Sequence, residues 1–393
     1  MKKLLSLLLL FCATWAFGQD LSPAEEAALK LANDGKLAEA AAAFENIHQA
    51  QPKNMNTIGI LYQIYEKMGD RSKQYIMASK AAAQQPAAEL WNYRKAESAI
   101  AAGKGDEAIR TADAYIAKYG DSASMHYIKG GALDAQDKLQ EAIGEYSRAL
   151  RISPTYYLAL YKRALDFTAI SRYQNALDDF TKLLDAGQRL DFVYNNRGEA
   201  YSGLNNYAAA IADYTSAIGL NPQNSNAFNN RAAAYRETGE DAKALADARQ
   251  AISLSPGYAE PYFHLAAIED GKRQLSEAMI HIDKAISLAG DRPRYHALRA
   301  HILLESDRAN EALAAAGKVL ELNANDADGF IMKATALSNM SRFNESIEVL
   351  NKAIASDNSN YLFYGLRAFV NRQLGNKAAA DADEAKAKTL GGK

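Results

Sequence analysis

The chain has 393 residues, 48% of them apolar and 23% charged, so it buries a core; global disorder and collagen-like or mucin-like architectures are excluded. Its 45 lysines and arginines against 47 acidic residues leave a net charge of −2, which gives no electrostatic reason to bind nucleic acid. The single cysteine, Cys12, excludes disulfides, zinc-thiolate sites and cysteine nucleophiles once it leaves with the leader described next.

At the N-terminus, Lys2 and Lys3 precede an apolar run from Leu4 to Phe17, and Ala16 and Gly18 place small residues before a cut ahead of Gln19. Residues 1–18 therefore read as a secretory signal. The run falls short of the roughly 20 residues a helix needs to span a bilayer, and no later segment reaches that length. Lipid attachment at Cys12 normally follows a small residue, and Phe11 stands there instead. The expectation is an exported chain, periplasmic or extracellular, with no integral span.

From Leu21 onward a 34-residue ruler fits without insertion, with starts at Leu21, Met55, Glu89, Ala123, Tyr157, Asp191, Ser225, Ala259, Pro293, Ala327 and Tyr361. The twentieth place of each unit is small in Ala40, Ala108, Ala142, Ala176, Ala210, Ala244, Ala278, Ala312, Ser346 and Ala380, with Gln74 the exception. The eighth place is equally small, from Ala28 and Ala96 through Gly130 and Gly198 to Ala368, interrupted by Tyr62. Two backbones must approach closely at both places. The fifteenth place holds Gly35, Gly69, Gly103, Asp137, Ser171, Asn205, Gly239, Asp307, Ser341 and Gly375, all turn formers, and Arg273. Five of the eight prolines, Pro52, Pro86, Pro154, Pro222 and Pro256, occupy the thirty-second place, where a missing amide hydrogen stops a helix. Each unit thus reads helix, turn, helix, turn.

The run Tyr194-Asn195-Asn196-Arg197-Gly198-Glu199-Ala200-Tyr201, followed by Tyr207, Ala210, Ile211, Tyr214, Ala217, Leu220 and Pro222, resembles the tetratricopeptide repeat, in a form fitting an exported bacterial protein. Residues 19–393 then form one continuous array, and the fold class is an all-α, right-handed α-solenoid of about eleven 34-residue helix-turn-helix repeats. Ala99, Leu303 and Asn371 stand where the best unit has Tyr201, which predicts looser packing there. A lone helical pair cannot bury its apolar face, so such an array needs polar ends. Ser22 with Glu25 makes a capping box, Pro23 suits the first helical position, and Asp381, Asp383, Glu384, Lys386 and Lys388 predict a final helix polar on nearly all sides. On this reading the array is complete.

At 100° per residue, the core stripe of each first helix (places 4, 7, 8 and 11) lies about 130° from the stripe of places 2, 5, 9 and 12, which lines the inner groove in the family resembled. Along the fifth place run Tyr93, Tyr127 and Tyr161, then Asn195 and Asn229, then Phe263. With Asn196 and Asn230 the asparagines would offer neutral amides to an extended peptide backbone, and the tyrosines rigid apolar faces of the kind enriched at interfaces. Padding between helices is the competing reading of both ladders. Asn230-Arg231 is similar to the centre of the carboxylate-clamp type of this family, but Asn195, Glu199, Glu260 and His264 occupy the flanking places that such a clamp fills with Lys, Asn, Lys and Arg. Binding of acidic chaperone tails is therefore rejected.

His264, His281, His296 and His301 fall on different helical faces and do not converge as metal ligands. Asn325-Asp326-Ala327-Asp328-Gly329 lacks the first and last ligands of a calcium loop, and Gly103-Lys104-Gly105 lacks a phosphate loop's other residues. No nucleophile elbow or metalloprotease helix occurs, and the repeats leave no room for a catalytic domain. The sequence points to a non-catalytic adaptor without cofactor that binds a protein or peptide through Tyr93, Tyr127, Tyr161, Asn195, Asn196, Glu199, Asn229, Asn230, Phe263 and His264. The alternative is a structural component of an envelope or outer-membrane complex acting through its outer face or ends. Export is checked directly: mass spectrometry of the protein recovered from its native host should find Gln19 at the N-terminus, and an intact leader in a cytoplasmic fraction would refute it.

Overall fold

A computed structural model describes residues 21–391; the proposed leader, with Lys2, Lys3 and Cys12, and the cut before Gln19 lie outside the described residues. Among the described residues every regular element is a helix. They run Pro23–Asn33 (α1), Leu37–Ala50 (α2), Met55–Met68 (α3), Arg71–Gln84 (α4), Glu89–Ala101 (α5), Gly105–Tyr119 (α6), Ala123–Asp134 (α7), Leu139–Ile152 (α8), Tyr157–Ala169 (α9) and Tyr173–Asp185 (α10). After these come Asp191–Gly203 (α11), Tyr207–Leu220 (α12), Ser225–Glu237 (α13), Asp241–Leu254 (α14), Ala259–Gly271 (α15), Leu275–Leu288 (α16), Pro293–Glu305 (α17), Ala309–Leu322 (α18), Ala327–Asn339 (α19), Phe343–Ser356 (α20), Tyr361–Gln373 (α21) and Lys377–Thr389 (α22). From α3 onward, every first helix begins on a ruler mark. The chain falls into two compact units, divided between Arg189 and Leu190. Each is a stack of antiparallel helix pairs, an α-helical repeat solenoid.

The turn at the fifteenth place is more uniform than its sequence. All eleven residues there take left-handed backbone angles, with φ between 58° and 80°. Glycine adopts this region without cost and Asn or Asp at a small one, whereas Arg273, at φ 58°, accepts the strain of a Cβ facing the carbonyl. α10 ends differently from its neighbours: Gly187 turns left-handed at φ 82°, and Gln188 follows it at the thirty-second place, which is proline in five repeats.

Inside each pair the eighth and twentieth places are buried throughout, including Ser346, whose hydroxyl donates to the Ala334 carbonyl at 2.9 Å. Size is matched across the pair. A Cβ on Gly198 would come within 2.7 Å of the Tyr214 ring, and one on Gly130 within 2.6 Å of Tyr146. Where Tyr62 breaks the small-residue rule, Ala78 stands at the place held by Tyr214 and Tyr146 in those units, and both are buried in one cluster. Ala99, Leu303 and Asn371 are buried too, and Asn371 donates to Asp383 at 3.4 Å, so these places are filled.

An ion pair spaced 16 residues apart ties the two helices of several pairs. Arg163, Arg197, Arg231 and Arg367 each reach Asp179, Asp213, Asp247 and Asp383 with a two-point fork, Nε and Nη2 donating at 2.6 to 2.9 Å. Arg163 and Arg231 also donate through Nη1, both at 2.9 Å, to Ser147 and Thr215 of the preceding repeat. Asp383 is buried. The expectation that it belonged to a solvated final face is thus corrected: Arg367 draws it inward. At the other end the capping box forms, with Glu25 accepting from the Ser22 amide at 2.9 Å and Ser22 Oγ from the Glu25 amide at 3.3 Å. Glu25 further accepts from Thr57 Oγ1 at 3.1 Å and Asn54 Nδ2 at 3.2 Å, which joins the first two repeats.

The fork generates a test. Arg231→Ala strands a buried carboxylate and should destabilise the second unit by about 3 kcal/mol in urea unfolding. Arg231→Lys should recover only part of that, because an ammonium cannot reproduce the fork; an alanine variant as stable as the parent would contradict the assigned role.

Candidate functional site

In the second unit each first helix touches the first helix of the next repeat directly, along α11, α13, α15, α17, α19 and α21, while the second helices contact mainly the first helices on either side. Places 2, 5, 9 and 12 of the first helices therefore share one wall, set by the wide angular gap from the core stripe. The first unit repeats the contact between α5 and α7.

On the wall of the first unit, Tyr93, Tyr127 and Tyr161 are half-buried. Tyr127 stands between Tyr146 and Tyr156, with ring centroids 5.8 and 5.1 Å away, and Tyr161 meets Phe180 edge-on at 6.2 Å. Burial raises the phenol pKa values of Tyr93 and Tyr127 and pushes Tyr156 up to about 12, so all three stay neutral donors. Each tyrosine thus pads its neighbours with one part of the ring and offers the rest to solvent. Exposed Leu90 and Leu158, at the second place, extend the apolar surface.

Beside them lies a buried acid that the sequence reading missed. Asp166 is 4% exposed and its Oδ2 has no hydrogen-bond partner. Burial, and then the charge of Asp134, push its pKa up to about 7, against a smaller opposing pull from Lys162, which itself donates to Asp134 at 3.2 Å. A place in the first-helix pattern marks the face but not the isolation of the carboxylate.

On the wall of the second unit the asparagines bind one another. Asn229 Nδ2 donates to Asn230 Oδ1 at 3.2 Å, Asn230 Nδ2 to Asn195 Oδ1 at 3.3 Å, and Asn195 Nδ2 to Asn196 Oδ1 at 3.3 Å. Asn195 and Asn229 are buried, so Asn196 and Asn230 carry the solvent-facing part of the ladder. Asn229 Oδ1 has no donor. Glu199 lies one helical turn beyond Asn195 and is exposed, with its pKa raised by the protein packed around it. Phe263 is flanked by Arg294 and Arg236, whose guanidinium carbons lie 5.0 and 5.7 Å from the ring centroid, and stacks on Tyr295 at 5.3 Å.

His264 differs from the groove placement expected for it. It is 5% exposed, accepts from Arg236 Nη1 at 3.2 Å through Nδ1, and is held at a pKa of about 3 by burial and by the charge of Arg236. It is a neutral core group. His281 pairs with Glu269 at 2.6 Å and His296 bonds the Gly290 carbonyl at 2.9 Å, each satisfied separately. Among the described residues no three or more His, Cys, Asp or Glu side chains converge as metal ligands, and no helix is long and apolar enough to cross a membrane.

Family comparison matches the tetratricopeptide repeat at residues 93–157, 192–224, 225–258 and 327–360. These segments are tetratricopeptide repeats. No curated protein matches the chain. Similar solved structures include the Cut9–Hcn1 hetero-tetramer of the APC/C, 14% identical over 94% of both chains with a TM-score of 0.49. A tetratricopeptide repeat protein from Parabacteroides merdae is 18% identical over 63% of this chain and 98% of that one, with a TM-score of 0.49. Yeast Tom70 is 16% identical over 93% and 91%, with a TM-score of 0.48. Likenesses at this level say nothing of partner or task. The repeat itself generally serves protein–protein interaction as a non-catalytic scaffold, and nothing in the wall points to catalysis.

Asp166 carries a pH prediction. Its folded pKa of about 7 exceeds the unfolded value of about 3.9, so folding takes up a proton and the residue's contribution to stability declines as pH rises from about 4 to 7. Asp166→Asn should therefore gain on the parent by on the order of 1 to 3 kcal/mol between pH 4 and pH 8 in urea unfolding; parallel pH profiles would show that the carboxylate is not isolated.

Proposed function

We propose that the chain is an exported, non-catalytic adaptor of the bacterial cell envelope that holds a peptide segment or partner protein against the first-helix walls. The observation that carries this reading is the wall's chemistry. Half-buried tyrosines with exposed Leu90 and Leu158 supply apolar contact in one unit, and Asn196 and Asn230 supply amides able to pair a peptide backbone in the other. The leader composition of residues 1–18 supports export, and with it a partner in the periplasm, outside the cell or in an outer-membrane complex.

A second reading has its own observation. Ile280, on the second helix α16, is 67% exposed, and Ile76 and Leu220 are also exposed on second helices, so the outer side offers apolar points for assembly with other envelope proteins. Photo-crosslinking in the native host separates the two. With a benzophenone amino acid at position 127 or 230, discrete adducts are expected, and with the same group at position 280 none. Adducts confined to position 280 would replace the adaptor by the assembly component.

A further inference from the structure

On α11, the wall of the second unit holds a carboxylate, Glu199, that no cation among the described residues answers. Glu199 is exposed, and neither an ion pair nor a hydrogen bond occupies it. The next acid along the wall is different: Glu260 is bound by Arg294, which holds its pKa low although burial alone would raise it. The Tyr258 phenol lies within the fields of both carboxylates. On α13 the amide chain ends at Asn229 Oδ1, an acceptor without a donor in a residue only 5% exposed. A carboxylate open to solvent and left without a donor wants one. One free carboxylate is too few to hold a metal ion, which needs several converging oxygens. A guanidinium or ammonium on a flexible stem needs only one such partner and an aromatic neighbour.

Resting on the adaptor reading above, we propose that this level of the wall takes a lysine or arginine side chain of an extended peptide, its charged head at Glu199 and its backbone along Asn196 and Asn230. Charge complementarity selects the occupant. Where a clamp for acidic tails has Lys, Asn, Lys and Arg, this chain has Asn195, Glu199, Glu260 and the buried, neutral His264, so the wall carries acids and none of the clamp's cations, which favours basic peptides. The surrounding protein already makes ionised Glu199 less favourable than in water, as the raised pKa shows, and a bound cation would relieve that cost.

Panning the full chain against a random twelve-residue peptide library tests this, followed by titration with the selected peptides made as N-acetylated synthetic copies. Selected peptides should share a basic residue at one position. Its replacement by Gln should weaken binding roughly fivefold on the parent chain and less than twofold on Glu199→Gln, while Glu199→Lys should turn the preference to acidic residues. Circular dichroism should show unchanged helicity in both variants, since Glu199 supports no other side chain. Peptides selected without a basic preference, or with one that Glu199→Gln leaves intact, would overturn this inference and leave the adaptor standing. If no peptide is selected at all, both fall.

Discussion

The close approach of two helices within every repeat is the constraint from which the rest follows. At the eighth and twentieth places the backbones come so near that a hydrogen, a methyl or a bonded hydroxyl fits, apart from Tyr62, compensated by Ala78, and the buried Gln74. Such a contact forfeits large side chains where globular proteins usually gain most from them. The loss is offset by placing the bulk elsewhere in the same pair, as Tyr214 lies over Gly198 and Tyr146 over Gly130. A methyl added at either glycine would therefore act as overpacking, not as better helix propensity.

Apolar clusters run across successive repeats, and polar links add to that coupling. The Arg-Asp forks join helix to helix, and Nη1 of Arg163 and Arg231 carries the link to the preceding repeat. Breaking such a pair costs more than forming it gains, since the surviving carboxylate stays buried. The fork thus specifies alignment more than it adds stability. Arg299 shows the rule by departing from it: Ala315 stands where its aspartate would be, and its guanidinium turns to the exposed Asp283 at 2.7 Å.

Most of the backbone was legible in the sequence because its determinants are local and recur. Helix starts follow the ruler, and the left-handed turn follows glycine and its substitutes closely enough that even Arg273 is placed by its position alone. The forks were legible in principle, since arginine at the seventh place accompanies aspartate at the twenty-third in four repeats, yet composition alone made Asp383 look like a solvated end. Partner choice is harder to read. Periodicity put Asn195, Asn229 and His264 on the wall, but the amide-to-amide bonds and the approach of Arg236 depend on rotamers and on residues 28 to 35 positions away. The boundary at Arg189 left one sign, Gly187 just before the proline place that Gln188 fills, and a turn residue among many glycines carries little weight unaided.

What distinguishes the two walls is how each treats polarity within the same backbone. In the last three repeats of the first unit the fifth place is tyrosine, and the nearby acid Asp166 is buried deeply enough to raise its pKa to about 7. The second unit's fifth place begins with amides that satisfy one another, which leaves Glu199 ionisable and open to solvent. An identical ruler therefore yields a tyrosine-rich surface around Tyr127 and an amide-rich surface around Asn230 on which Glu199 has no partner. Recognition by the first depends on area and shape and is insensitive to salt, whereas a contact made at Glu199 weakens as ionic strength rises. Binding at the first wall would therefore persist at salt concentrations that screen a contact at Glu199.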